Sequence, residues 1–267
     1  MKHTASEEEI AAAAAYENLH VPAIFRQWAP RVVDAAQIQV GNRVLDVACG
    51  TGVLAREAVL HVGGNGFVAG LDANPGMLAV ADQLAPSIEW RVGVAESLPY
   101  ESESFESVIS QFGLMFFQDS AAALSEMKRV LAPGGRTAVA IWESLENSEA
   151  YPTEVALLER LAGQPAADAL RAPFVLGDKA ALTNMFKDAG FASVEITTHC
   201  GTARFPSVRT MVEADLRGWL PVMGVILTEG QIENILNEAE GALSQYVTAD
   251  GTVEFDSPAH IVTGQKA

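Results

Sequence analysis

From Val44 onward, short apolar runs alternate with stretches whose apolar residues recur at helical spacing, the rhythm of βαβ units around a mainly parallel sheet. Val44-Leu45-Asp46-Val47-Ala48 reads as a buried strand that runs into Cys49-Gly50-Thr51-Gly52, after which Leu54, Ala55, Ala58 and Val59 mark one face of a helix. Residues 66–71 read as a second strand ending at Asp72. Asn74 and Pro75 then supply the N-cap and first turn of a helix bearing Met77, Leu78, Ala81 and Leu84. Residues 88–92 and 105–110 read as the third and fourth strands, with Leu98-Pro99-Tyr100 in the loop between them. Leu124, Met127, Val130 and Leu131 form the buried stripe of the next helix, Pro133-Gly134-Gly135 ends it, and residues 136–142 make the fifth strand.

Beyond Trp142 the rhythm changes to a Glu-, Ala- and Pro-containing stretch reaching Gly177, read as inserted helices and loops that form a lid. Asp178 caps a helix carrying Leu182, Met185 and Phe186 that Gly190 closes, and a strand follows over 194–198. Two helices come next, one over 207–220 and one opened by the capping box Thr228-x-x-Gln231. Residues 261–263 read as a last edge strand. The expected class is therefore α/β, a doubly wound and mostly parallel sheet of seven strands. A single domain spans 1–267: a helical N-terminal cap over 1–40, the core over 41–143, and lid insertions with the remaining sheet over 144–267. No linker rich in Gly, Ser or Pro divides it.

Composition narrows the partners. The 34 acidic and 17 basic residues of this 267-residue chain give a formal net charge of -17, which repels polyanions and argues against nucleic acid and anionic membrane. Only Cys49 and Cys200 are present, the pattern of reduced thiols and not of a disulfide framework or a metal site. Glu7, Glu8 and Glu9, close behind Met1-Lys2-His3-Thr4, stand where a secretory signal would be basic and then apolar. No apolar stretch approaches about 18 residues. A cytoplasmic protein is expected, with oligomeric state open and a homodimer as the assembly to test.

The chemistry sits in the loops. In open α/β sheets ligands bind at the carboxyl ends of the strands, which places Ala48, Cys49, Gly50, Thr51 and Gly52 at the site. Gly50-x-Gly52-x-x-Ala55 fits a dinucleotide fingerprint, and Asp72 lies about 20 residues on, where a ribose-binding carboxylate is expected. These residues support an adenosine cofactor without choosing between a nicotinamide and a sulfonium. Four ordered segments add to them: Leu45-Asp46-Val47-Ala48-Cys49-Gly50-Thr51-Gly52, Gly70-Leu71-Asp72, Ala95-Glu96-Ser97-Leu98-Pro99-Tyr100, and Met127-Lys128-Arg129-Val130-Leu131-Ala132-Pro133-Gly134-Gly135. Over residues 40–143 the chain closely resembles the class I methyltransferases of the ubiquinone/menaquinone-biosynthesis type.

That resemblance implies a Rossmann-like fold and S-adenosylmethionine as cofactor. It assigns the methionine end to Asp46, Ala48, Cys49, Gly50, Thr51 and Gly52, the ribose to Asp72, Ala73 and Met77, and adenine to Val94, Ala95 and Glu96. Ala48 replaces a glycine usual in the family, and Val94 replaces a frequent Asp, which leaves adenine to the backbone and Glu96. Gln111, past the fourth strand, is expected at the cofactor's amino acid end or at the acceptor. Phe112, Met115, Phe116, Phe117 and Trp142 are read as lining for an apolar small-molecule acceptor, with core packing as the plain alternative. Tyr16, Phe25 and Trp28 are read as a cap over the site, with helix packing as theirs. Where the acceptor needs a general base, Glu143 is the first candidate and His20 the second; His61, His199 and His260 read as structural. The rival readings are an NAD(P)-dependent oxidoreductase, which shares the glycine loop and ribose acid, and a non-catalytic S-adenosylmethionine-binding protein.

Overall fold

Strand β1 (Arg43–Val47) is buried at every position after Arg43, as a strand covered on both faces must be. It is joined by β2 (Phe67–Asp72), β3 (Glu89–Val92), β4 (Phe105–Gln111), β5 (Leu131–Trp142), β6 (Ala192–Phe205) and β7 (Val253–Gln265) in one seven-stranded sheet of order β3-β2-β1-β4-β5-β7-β6. The pairings β1 with β2, β1 with β4, β2 with β3 and β4 with β5 are parallel. β7 runs the other way. The Gly134 and Lys266 N–H groups join the start of β5 to the end of β7, while Glu143 donates to Pro258. Thr198 pairs with His260 and Arg204 with Glu254, so β6 and β7 also count in opposite directions.

Two expectations about strands are corrected. The last strand is 13 residues long rather than three, and it lies inside the sheet, between β5 and β6, rather than at its edge. Its apolar run is interrupted by Ser257, His260 and Thr263, which are nevertheless buried, so the pattern under-reads it. The edge belongs to β6, whose Glu195, Thr197, Thr198, His199 and Cys200 suit water on one side. β5 also starts earlier than read: the register jumps from Phe105 opposite Leu131 to Ser107 opposite Arg136, and Pro133-Gly134-Gly135 bulges between them, with Gly134 at φ +77°.

The computed structural model describes residues 5–267, so the reading of Met1 to Thr4 lies outside the described residues. Helix α1 (Glu7–His20) opens with a complete capping box from Ser6 and Glu9. A π-turn (Val21–Phe25) and a 3-10 turn lead to α2 (Ala29–Ala35); α3 (Val53–Val62) follows the glycine loop. α4 (Pro75–Leu84) starts under the Asn74 side chain, which accepts from the Gly76 and Met77 N–H groups. α5 (Ser120–Val130), α6 (Tyr151–Ala162), α7 (Gln164–Arg171) and α8 (Lys179–Asp188, capped by Asp178) continue the chain. α9 (Val208–Ala214), the short α10 (Leu220–Val222) and α11 (Glu229–Ala242), with its Thr228/Gln231 capping box, complete it.

The chain divides into two units. The first holds the residues up to Ile141, Asp178–His199 and Ala259–Ala267; the second holds Trp142–Gly177 and Cys200–Pro258. In the second, the helix read over 207–220 is broken after Ala214 by a π-turn (Asp215–Trp219). Pro221 explains part of this, because it lacks the N–H that a continuous α-helix would donate to Arg217. Trp219 instead donates its indole N–H to the Ala169 carbonyl, at 2.8 Å.

Candidate functional site

The strand order turns back between β1 and β4, where neighbouring crossovers leave to opposite sides and open a crevice at the strands' carboxyl ends. The loop after β1 is built from alternating left-handed residues: Ala48 at φ +58°, Gly50 at +55° and Gly52 at +84°. Its two glycines do different work. A Cβ on Gly52 would lie 2.4 Å from the Trp90 ring, and one on Gly70 in the neighbouring strand 2.3 Å from it, so both are glycine to admit that indole. A Cβ on Gly50 would meet nothing within 4 Å among the described residues: its backbone faces open space that a ligand can approach closely.

Two carboxylates, Asp46 fully buried and Asp72 half-buried, hold this loop. Asp46 accepts from the Ala55 N–H at 2.9 Å and so satisfies the first turn of α3, while its Oδ1 is buried and meets no hydrogen-bond partner among the described residues. Asp72 accepts from Gly50 N–H and Asn74 N–H, each at 2.8 Å, locking the end of β2 to the loop after β1. Burial pushes both acids above the usual carboxylate range; the Ala55 N–H works against this at Asp46, and the Asn74 and Gly50 N–H groups do so at Asp72.

The N-terminal helix reaches the same loop. Thr51 Oγ1 donates to one oxygen of Glu17, and Arg56 pairs with the other at 2.7 Å while also donating to the Thr51 carbonyl. Gly76 lets α1 lie close on α4, since a Cβ there would come 2.6 Å from the Glu9 carbonyl oxygen. The neighbouring Tyr16 feels Asp72, Glu17 and Asp46, which add to burial in pushing its hydroxyl up. Rings then run in series. Tyr16 lies 5.6 Å from His20 and 5.4 Å from Phe25, and Phe112 lies 5.6 Å from Phe25 and 5.8 Å from Trp28. Burial pulls the His20 imidazole down to about 4, so it is neutral at pH 7. Gln111 donates to the Phe25 carbonyl at 3.2 Å, and its buried Oε1 meets no hydrogen-bond partner among the described residues.

Residues 44–135 match the family model described as a methyltransferase domain. A ubiquinone/menaquinone biosynthesis C-methyltransferase of Cellvibrio japonicus is 32% identical over 197 residues, covering 67% of this chain and 78% of that relative. The chain belongs to the class I S-adenosylmethionine-dependent methyltransferases. A 2-phytyl-1,4-naphtoquinone methyltransferase of Thermosynechococcus vestitus is 39% identical over 115 residues, covering 42% of this chain and 51% of its own length. The chain thus spans about half the length of the first curated relatives it matches. A phosphoethanolamine N-methyltransferase 2 of Haemonchus contortus, solved in complex with S-adenosyl-L-methionine, shares the fold: TM-score 0.61 at 18% identity, covering 96% of this chain and 57% of that one.

Several residues expected from that family's pattern come together in this chain. Asp46, the loop from Ala48 to Gly52 and Asp72 are tied by the bonds above, and Met77 sits in the turn that Asn74 caps. Val94 is 50% exposed in the loop after β3, with Ala95 buried beside it. Glu96 is turned to the loop after β4, accepting from the Gln118 and Asp119 N–H groups. Leu114–Phe116 forms a 3-10 turn, with Phe116 exposed and Met115 and Phe117 half-buried. Trp142 and Glu143 fall in the second unit, where Glu143 accepts from the Asn147 amide at 2.9 Å.

Glu17, Arg56 and Trp90 are site residues that sequence reasoning missed. The signal for Trp90 was present: Gly52 in the loop after β1 and Gly70 in the adjacent strand β2 ask for one bulky neighbour. Glu17 carried none beyond standing next to Tyr16.

Proposed function

We propose that the chain transfers a methyl group from S-adenosylmethionine to a small-molecule acceptor. The observation that carries this is Gly50, left-handed and open to space, with its N–H held by the Asp72 carboxylate at the crevice between β1 and β4. The residues fit the cofactor. A carboxylate has about four acceptor sites, and the Asn74, Gly50 and Ala73 N–H groups all engage Asp72, which leaves about one for a ribose hydroxyl. The loop from Ala48 to Gly52 would hold the methionine end, Ala73 and Met77 would flank the ribose, and Val94 and Ala95 would face adenine.

When bound, the sulfonium supplies a methyl group already activated toward nucleophiles. The protein's share is alignment and exclusion of water. α1, fixed to the glycine loop through Glu17, Thr51 and Arg56, supports a cap whose half-buried Tyr16 and Phe25 rings suit an apolar or aromatic acceptor, while Phe112 and the fully buried Trp28 back that cap from the core. His20 is kept as the candidate base because it stacks on Tyr16. Its depressed basicity suits an acceptor that arrives nearly ready to react. The net charge of -17 supports an acceptor that is neither nucleic acid nor an anionic membrane lipid, and the presence of only two cysteines, far apart in the chain, accords with a reducing cytoplasm.

Calorimetric titration with S-adenosylmethionine, S-adenosylhomocysteine and NADPH, repeated on Asp72→Ala, tests the cofactor. Micromolar binding of the first two, lost in the variant, is the expected result. Binding of NADPH alone would make this an oxidoreductase, and cofactor binding without labelled methyl transfer to any acceptor pool would leave a binding protein.

A further inference from the structure

The second unit holds two carboxyl groups that methyl transfer does not use. Glu154, in the first turn of α6, is fully buried, and neither of its oxygens meets a hydrogen-bond donor among the described residues. Asp215, the first residue of the π-turn, is 8% exposed and within hydrogen-bonding reach of it. Tyr151, one helical turn before Glu154, also faces the pair and is held between the rings of Phe174 and Phe255 at 5.3 and 5.6 Å.

No cation neutralises these acids among the described residues. The charged groups of the surrounding elements are spent at the surface: Arg160 pairs with Glu238, Arg171 with Glu159 and Asp168, Arg209 with Glu233, and Arg217 with Glu213 and Glu229. Glu146 and Glu240 are exposed. Two carboxylates in contact in a medium of low dielectric cannot both stay ionised, whereas one proton between them turns repulsion into a strong hydrogen bond.

We infer that Glu154 and Asp215 share a proton that latches the π-turn Asp215–Trp219 onto α6, and that the turn is released when that proton passes to solvent. The proton leaves as a hydronium ion or on buffer, and two carboxylates remain that only hydration can separate. Asp215 is the partner able to move. It sits where the helical ladder is already interrupted, ahead of Pro221 and of the exposed Val222, Met223 and Ile226, while Glu154 is fixed in the packed face of α6. Burial pushes Asp215 up to about 7, and pushes Glu154 well above the carboxylate range with the Asp215 charge adding to it, so above neutrality one proton remains to be lost on opening.

The experiment is hydrogen exchange of the amides of 215–219 in the full chain, read as protection factors between about pH 7.5 and 9.5. One proton released on opening makes protection fall about tenfold per pH unit. Glu154→Gln replaces the shared proton with a permanent amide donor and is expected to flatten that slope. Glu154→Gln/Asp215→Asn, which carries no charge to bury, is expected to flatten it too and serves if the single variant folds poorly. Wild-type protection that does not change with pH, or a slope kept in either variant, would overturn the latch.

Discussion

Gly50 and Gly52 lie two residues apart with similar left-handed backbones, yet the structure predicts opposite consequences for alanine at each. An alanine in this conformation costs about 1–2 kcal/mol at either place. At Gly50 nothing is added, because the new methyl group meets no atom within 4 Å. At Gly52 the methyl group would sit 2.4 Å from Trp90, a side chain only 8% exposed and anchored by its indole N–H to the Ala85 carbonyl at 3.0 Å. Moving a packed indole adds about 1–3 kcal/mol of overpacking. Gly52→Ala is therefore expected to unfold about 6 °C below Gly50→Ala, taking an extra 2 kcal/mol at roughly 3 °C per kcal/mol for a chain of this size. Calorimetric titration should show the reverse order of injury. Gly50→Ala fills the space a ligand needs and should weaken S-adenosylmethionine binding by roughly tenfold or more, about 1.4 kcal/mol. Melting temperatures that coincide, or a Gly50→Ala protein that binds like wild type, would refute the division of labour between the two glycines.

Asp72→Asn removes a charged acceptor for the ribose and should weaken cofactor binding about 10- to 100-fold; in the wild type, affinity should also fall as pH drops through the raised Asp72 value, a dependence absent from the variant's titrations. Glu17→Ala deletes the acceptor shared by Thr51 and Arg56, a loss of about 1–3 kcal/mol. Exchange of the α1 amides should rise tenfold or more while sheet amides hold, and unchanged α1 protection would count against the clamp. His20 is neutral in the fold, with its value lowered from 6.5 to about 4, so the unfolded chain binds the extra proton between those values. Its contribution is complete above 6.5 and is lost as pH falls toward 4, about 3 kcal/mol in all. Denaturant unfolding of His20→Gln should lack that acid-side loss, and identical pH profiles would remove the assignment.

What could be read from the chain was what neighbours in sequence decide. The run from Val44 to Gly52, the Asn74-Pro75 start of α4, the Asp178 cap and the Thr228/Gln231 capping box are local devices, and each forms as its residues require. β7 was under-read because its neighbours, not its own pattern, bury it. Ser257, His260 and Thr263 look like surface residues until β5 and β6 cover them, and His260 meets Thr198 across the strand. The π-turn at Asp215 hides in the same way, since an extra residue in a helical turn leaves the apolar spacing on either side intact. At the site, sequence could nominate Glu96 and Gln111 by position but could not say that backbone groups engage them, the Gln118 and Asp119 N–H groups in one case and the Phe25 carbonyl in the other.

The departure from the family pattern at Ala48 has a structural answer that can be tested by itself. A left-handed alanine at the end of β1 narrows the loop, yet the chain carries it because Gly113, after β4, has no side chain: a Cβ there would lie 2.6 Å from the Ala48 Cβ. The methyl group absent from one loop is present on the other, so one volume is filled once. Gly113 itself needs no special backbone, with φ at -104°, so Gly113→Ala should cost about 1–3 kcal/mol through the clash alone. Ala48→Gly relieves strain but frees the unfolded chain by a similar amount, and should be nearly neutral. In the Ala48→Gly background the Gly113→Ala clash disappears, which predicts a coupling of about 1–3 kcal/mol in a double-mutant cycle of unfolding free energies. Additive effects would mean that the loops after β1 and β4 do not share that volume, and that Gly113 is glycine for another of its neighbours, Ser110 or Phe117.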